Sequence, residues 1–546
     1  MLRVGRVWFG LIVAVLLAAS STSSIAAQGA TRQSQSAATR QNPLLRRSPL
    51  PFQAPVFDKF QDRDFQPALE AGMRQQLAEV EKIANTPAAP TFENTVVALE
   101  TSGRLLTRVQ LIFNGLTGAN TDEVLQKVQE QEAPKLAAVQ DAIFLNPKLF
   151  KRIEAVYDQR DALHLDPESL RLVEYYHQQF VMAGARLSPA DQATLKKLNG
   201  EDATLSAKFA NQLLAAAKDG ALVVSGQAAL AGLPAGDLAS AAQAARSRGL
   251  EGKWLIPLQN TTQQPDLELL SNRETRQKLF EASWTRAERG DANDTRAVIT
   301  RLAQLRAQKA KLLGYPDYAA WKLQDQMAKT PDAVDRFLGQ LVHPATGRAR
   351  AEAADLQALV DRQHGGFQLQ PWDWDFYSEQ IRKEKYDLDQ SEIKPYFELN
   401  RVLTDGVFYA AHQLYGLTFK ERHDLPVYQK DVRVFEVFDK TGAPLALFYA
   451  DYFKRDNKSG GAWMDNFVVQ SKLLGEKPVV YNVANFQKPA PGQPALLTSD
   501  DVVTMFHEFG HALNGFFADQ RYPSLSGTRI ARDFVEFPSQ FNEYWA

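Results

Sequence analysis

The sequence predicts a mainly α-helical protein of two or more domains, with one small β-sheet just before a metal-binding helix. Three observations carry this. Apolar residues recur at three- and four-residue spacing through most of residues 65–363, the period of helices that bury one face. Runs rich in Val, Phe and Tyr replace that pattern between residues 417 and 483, and such runs favour strands. Directly after them, His507-Glu508-Phe509-Gly510-His511 sets two imidazoles four residues apart in an apolar stretch. On a helix both lie on one face.

At the N-terminus, Arg3 and Arg6 precede an apolar run from Val7 to Ala19, followed by Ser20 to Ser24 and the small residues Ala26 and Ala27. This reads as a secretory signal over residues 1–27. A membrane anchor is the alternative, but the run is short for a span. A periplasmic or secreted protein with no stable membrane association after cleavage is therefore expected. Residues 28–56 are rich in Gln, Ser, Arg and Pro and hold no acidic residue, the composition of a flexible arm.

Residues 57–250 are read as an N-terminal helical region. Helices are expected over Glu70–Ala84, Thr95–Leu116, Asp122–Leu145, Ser169–Met182 and Pro189–Lys218, with Pro134 kinking or splitting the third. Ala221–Val224 and Trp254–Leu258 read as short strands. Residues 251–546 are read as the functional region. Helices resume over Leu267–Leu313 and Asp332–Gln363. Leu417–Lys420, Val432–Phe438, Leu445–Tyr452 and Val479–Val483 are expected strands, and Asp439-Lys440-Thr441-Gly442 is a hairpin turn candidate. Lys454 to Gly461 reads as a polar loop, solvated or, as the alternative, in contact with a ligand. Tyr481–Phe486 is a candidate edge strand that could pair with an extended peptide; a core strand is the alternative.

Composition excludes several classes. A net charge of -2 argues against nucleic-acid binding. The absence of cysteine removes disulfides and thiolate ligands, leaving His, Asp and Glu as possible zinc ligands. Of the eight histidines, only His507 and His511 have metal-site spacing.

In a chain with eight histidines, H-E-x-x-H arises by chance roughly once in a hundred such chains. A surface helix with two solvated histidines is the alternative reading. The context opposes it. Thr498 and Asp501 are spaced as a capping box, and Val502, Met505, Phe506, Phe509, Leu513 and Phe516 form a broad apolar stripe. Glu508, at the flank of the histidine face, is placed to act as a base on water at the metal. A third ligand is needed. Downstream, Asp533 is a plausible N-cap for a second helix, with Pro538 in its first turn and Glu536 projecting from it as the third-ligand candidate.

The run from Phe506 to Glu543 resembles the signature of the thimet oligopeptidase family of zinc metallopeptidases: F-H-E-F-G-H, then Gly527, Asp533, Glu536, Pro538, Ser539 and Glu543. Asn42 to Leu45, Leu313 to Trp321, Asp451 to Asp465 and Pro478 to Phe486 resemble it as well. The text is most similar to the bacterial peptidyl-dipeptidase branch. The resemblance implies two helical lobes around a deep channel, Zn²⁺ held by His507, His511 and Glu536, and Glu508 as catalytic base. It implies short peptides as substrates, cut by release of C-terminal dipeptides or by endo-cleavage. A monomer is expected. Glu543 becomes a candidate to orient a ligand histidine.

Two departures stand out. Asn514 occupies a position where the family pattern usually has another histidine. The chain stops at Trp545-Ala546, whereas family members continue and carry tyrosine and histidine donors for the oxyanion beyond that point. Residues 1–546 alone are therefore expected to hydrolyse peptides poorly, or to act only as a peptide- or zinc-binding piece. Phe516, Phe534, Phe537 and Trp545 are then expected to be partly exposed.

Overall fold

The computed structural model describes residues 41–258, 264–387 and 390–546. The signal assigned to residues 1–27 and residues 28–40 of the arm lie outside them. Residues 41–56 do not trail from the body. Pro43–Leu45 and Pro51–Gln53 form 3-10 turns, and Leu44 and Ala54 are buried.

The N-terminal region is a helical assembly: α1 (Phe65–Ala84), α2 (Arg104–Ala119), α3 (Glu123–Phe144), α4 (Pro147–Asp158), α5 (Pro167–Ala183) and the long α6 (Pro189–Asp219). Local chemistry sets the ends. Asp122 accepts from the Leu125 N–H, Asn146 from Lys148 and Leu149, Asp166 from Glu168 and Ser169, and Ser188 from Asp191. Three of these caps precede a proline at the first helical position, the arrangement that leaves no N–H orphaned there. Phe65, Leu69, Val109, Leu149, Ile153, Leu172, Val173 and Phe180 form its core.

Pro134 does not split α3: one helix runs through it. Packing of α3 against α1 and α6 outweighs the local cost of about 3 kcal/mol. Conversely, the helix expected over Thr95–Leu116 breaks at Gly103, which takes a left-handed φ of 68°, a conformation glycine adopts without steric penalty.

β1 (Leu222–Val224) and β2 (Trp254–Ile256) pair antiparallel around α7 (Ala235–Ser247). Then follow α8 (Arg273–Trp284), α9 (Arg296–Leu312), α10 (Pro331–Arg362) and α11 (Trp374–Tyr386). None of the described helices is long and apolar enough to cross a membrane.

The second sheet holds β3 (Thr418–Glu421), β4 (Arg433–Phe438), β5 (Pro444–Phe453), β6 (Trp463–Val468) and β7 (Val479–Phe486) in the order β3-β4-β5-β7-β6. All pairs are antiparallel except β5 with β7. Side chains alternate between two cores. Phe448, Ala450, Tyr452, Val480, Ala484 and Phe486 face one; Leu447, Tyr449, Val479, Tyr481 and Val483 face the other. The first core is closed by α12 (Ser499–Phe516), the helix carrying the histidine pair, whose residues Val502, Met505, Phe506, Phe509 and Phe516 belong to it. A short helix, α13 (Glu536–Asn542), packs on α12. β7 lies inside the sheet and is buried throughout, so Tyr481–Phe486 is the core-strand alternative and not an edge. The outer strand beside α12 is β6, which the sequence reading left unassigned.

The loop after β5 is not simply solvated. Lys458 is fully buried and donates from Nζ to Asp451 Oδ1 at 2.9 Å and to the carbonyls of Asp451, Phe453 and Ala484 at 2.7–3.0 Å. Arg455 and the Tyr428 hydroxyl complete the shell of Asp451, and Arg455 also reaches the Ala119 carbonyl on α2. The loop therefore fastens the sheet to the N-terminal helices.

Candidate metal centre

α12 begins as its sequence dictates: the Thr498 side chain accepts from the Asp501 N–H, and Asp501 accepts from the Thr498 N–H. Its apolar stripe is buried against the sheet, which turns His507 and His511 toward α13. Gly510 makes the approach of α13 possible. A Cβ there would lie 2.7 Å from Ser539 Cα and 2.9 Å from the Pro538 oxygen, closer than non-bonded atoms allow. Pro538 falls in the first turn of α13, and Glu536 is its first residue.

The capping expectation for Asp533 is not met. The residue before α13 is Val535, which has no capping side chain. Asp533 instead accepts from the N–H groups of Met327 and Ala328, at 3.0 and 2.9 Å. Its carboxylate satisfies the two free donors of a distant loop, an alternative that spacing alone cannot reveal.

His507 Nε2 lies 3.2 Å and His511 Nε2 3.0 Å from Glu536 Oε2, and the three donor atoms lie within 4.8 Å of one another. Points so spaced share a centre about 2.8 Å or less from each, near the 2.0–2.2 Å of zinc bonds to nitrogen and oxygen. Two imidazoles and a carboxylate are a donor set that suits zinc, so the residues fit the ion. The His507 ring is oriented from behind: Nδ1–H donates to Glu543 Oε1 at 2.6 Å, leaving Nε2 with its lone pair toward the centre. Glu536 is held by Ser539, whose Oγ donates to Oε2 at 2.9 Å. Burial works against its charge, but Ser539 and the two imidazoles outweigh it and hold the carboxyl below its usual range. Burial lowers the His511 pKa, which favours the neutral imidazole that metals require.

Glu508 is buried, and its Oε2 has no hydrogen-bond partner among the described residues. Burial first, then the charge of Glu536, pushes its carboxyl up to about 8. Asn514 is half-buried on α12 and contributes nothing to the donor cluster. The other histidines stay apart. His177 stacks on Tyr157 at 3.7 Å, and His412 pairs with the Leu417 carbonyl.

A cavity of about 820 Å³ opens beside the centre, lined by Val503, Phe537, Gln540, Phe541, Glu543 and Tyr544. Phe534, Phe537 and Trp545 are exposed as expected. Phe516 is fully buried instead, enclosed by Phe448 and Phe509.

Sequence reasoning missed the connector between α12 and α13. Tyr522 is buried in the N-terminal core, with its hydroxyl 2.7 Å from Ser169 Oγ. Glu100 accepts from Ser524 N, Ser524 Oγ and the Tyr176 hydroxyl. Glu168 accepts from the N–H groups of Arg521 and Tyr522. The partners lie more than 350 residues apart in sequence, so no local pattern announces them.

Residues 267–546 match the family model described as Peptidase family M3. Over 508 residues the chain is 57% identical to dipeptidyl carboxypeptidase from Escherichia coli (strain K12), covering 93% of this chain and 75% of that protein. Dipeptidyl carboxypeptidase from Salmonella typhimurium is 56% identical over 505 residues, covering 92% and 74%. Oligopeptidase A from Escherichia coli (strain K12) is 32% identical over 515 residues, covering 92% and 74%. The chain belongs to peptidase family M3. It is a metallopeptidase, and its mainly α fold with one small mixed sheet is that of the family.

Proposed function

We propose that this protein is a zinc-dependent peptidyl-dipeptidase that removes dipeptides from the C-termini of short peptides. What carries the reading is the convergence of His507, His511 and Glu536 in a chain 57% identical to a dipeptidyl carboxypeptidase. His507, His511 and Glu536 would hold the ion, leaving a fourth position open. Zinc, when bound, lowers the pKa of water in that position and polarises the scissile carbonyl. Glu508 takes the proton from the attacking water and returns it to the leaving nitrogen. Glu543 fixes the tautomer and angle of His507. The outer strand β6 gives an extended substrate a backbone to pair with. We also propose that the protein works in the periplasm after loss of residues 1–27, which N-terminal sequencing of the protein from a periplasmic fraction tests.

The decisive experiment is mass analysis of products from one peptide with a free and with an amidated C-terminus. Stepwise loss of C-terminal dipeptides from the free form alone is expected. Equal internal cleavage of both forms would make the enzyme an endo-acting oligopeptidase, and no turnover of either would leave a peptide- or zinc-binding protein.

A further inference from the structure

Two buried asparagines grip the backbone of α12 on either side of His507. Asn482 on β7 donates from Nδ2 to the Glu508 carbonyl at 2.8 Å. Asn542, the last residue of α13, donates from Nδ2 to the Phe506 carbonyl at 2.6 Å. Both side chains are buried, at 1% and 5% exposure. Phe506 and Glu508 sit within the helix, so their carbonyls already serve the helix ladder. Each amide uses a second lone pair. These bonds are therefore additions to the helix and not part of what forms it.

Their directions matter more than their number. Residues two apart on a helix point about 200° apart around the axis, so one amide holds α12 from the sheet and the other from α13. The remaining contacts of α12 are mostly apolar, through Val502, Met505, Phe509, Ala512 and Phe516. Apolar contact is non-directional and resists rotation and sliding weakly; a hydrogen bond with defined geometry resists both. Asn482 Oδ1 is buried and has no hydrogen-bond partner among the described residues, on the strand face it shares with Val480, Ala484 and Phe486. A leucine of similar volume would leave no such orphan, so stability alone does not account for an amide there.

We propose that Asn482 and Asn542 are positioning residues: Asn482 sets the Glu508 carboxylate against the reacting centre, and Asn542 sets His507 against Glu536. The proposal rests on the zinc peptidase reading. It separates the two residues by consequence. Loss of Asn482 lets the base drift while both histidines stay tethered to α13. Loss of Asn542 loosens the contact that brings the donors from two helices together.

The test uses the full natural chain with Asn482→Ala and Asn542→Ala, reading zinc Kd by competition with a chelator and kcat and KM on one short peptide. For Asn482→Ala, kcat should fall about 10- to 100-fold, with zinc Kd and KM within about twofold of the parent. For Asn542→Ala, zinc Kd should rise about tenfold or more, with a smaller loss of kcat at saturating zinc than in Asn482→Ala. If an alanine variant does not fold, Asn482→Ser and Asn542→Ser put the same question with a small polar side chain. Parental kcat in the first variant, parental zinc Kd in the second, or the same pair of changes in both would overturn the proposal. The underlying reading fails separately, if Glu508→Gln keeps parental activity or His511→Ala keeps parental zinc affinity.

Discussion

Gly510 sits between the two histidines at the closest approach of α12 and α13, and replacing it with alanine sets two effects of opposite sign against each other. In a helix interior, alanine is favoured over glycine by about 1 kcal/mol, so an unobstructed site would gain stability. Here the added Cβ would lie 2.7 Å from Ser539 Cα, 2.9 Å from Asn542 Cβ and 2.9 Å from the Pro538 oxygen. Ordinary carbon contacts are about 3.5–4.0 Å, so α13 must retreat by roughly 1 Å. Two of these three obstacles are backbone atoms, and no rotamer change relieves them. Overpacking of this kind costs about 1–3 kcal/mol, which meets or exceeds the propensity gain. The functional loss should be larger than the net stability change, because α13 carries Glu536 and Glu543. A displacement of that size is worth about 100-fold in rate. Gly510→Ala should therefore weaken zinc binding and lower kcat/KM by about 100-fold while the midpoint of denaturant unfolding moves little. Gly515→Ala is the control: its Cβ would meet Met464 Cε at 2.7 Å and Val480 Cγ2 at 3.0 Å, and the methionine end can swing away. A Gly510→Ala protein with parental zinc Kd and kcat/KM would refute the argument that this glycine sets the ligand geometry.

Glu508→Gln should retain zinc at one equivalent by elemental analysis and lose peptide hydrolysis, since it removes the base and no ligand; loss of the metal would mean the roles are misassigned. Glu543→Gln should raise zinc Kd about 10- to 100-fold, because a neutral amide is a weaker partner for the His507 Nδ1–H now 2.6 Å from a carboxylate; an unchanged Kd would make that contact incidental. Lys458→Met should destabilise the fold by about 3–5 kcal/mol, read from the denaturation midpoint, because Asp451 would stay buried without one of its charged partners. A loss below about 1 kcal/mol would show that Arg455 alone suffices for Asp451.

The site was more legible than the path that builds it. His507, His511 and Glu508 could be read because one helical period places them, and Thr498 with Asp501 marks where that helix starts. Glu536 could be read only together with the upstream histidine pair, since alone it fits a solvated carboxylate near a helix start. The sheet was readable where strands are apolar and continuous, as in β5 and β7. β6 escaped because Trp463-Met464-Asp465-Asn466 alternates poorly and follows a charged glycine loop. Asp533 misled in the opposite direction: its position before Glu536 fits a cap, yet its oxygens are taken by Met327 and Ala328. Lys458 misled by composition, because a lysine in a polar loop is ordinarily solvated; the Asp451 carboxylate and the carbonyls of β5 and β7 explain its burial.

The histidine pair on α12 and Glu536 on α13 are joined by a connector whose apolar residues, Tyr522 excepted, are exposed or half-buried, so its course must be fixed from elsewhere. The N-terminal helices supply the anchors: Tyr522 enters their core, Glu100 takes both donors of Ser524, and Glu168 takes the N–H groups of Arg521 and Tyr522. These are charge-assisted bonds, several from half-buried or buried groups, the class that holds geometry most firmly. The N-terminal assembly therefore does more than pack beside the sheet. It sets where the chain re-emerges toward Glu536, while Asp533, bound to the loop before α10, sets the other end of the same connector. Any relative movement of the helical regions that strained these anchors would reach Glu536 before it reached the two histidines, because α12 is buried against the sheet and α13 is a short helix with Glu536 at its first residue.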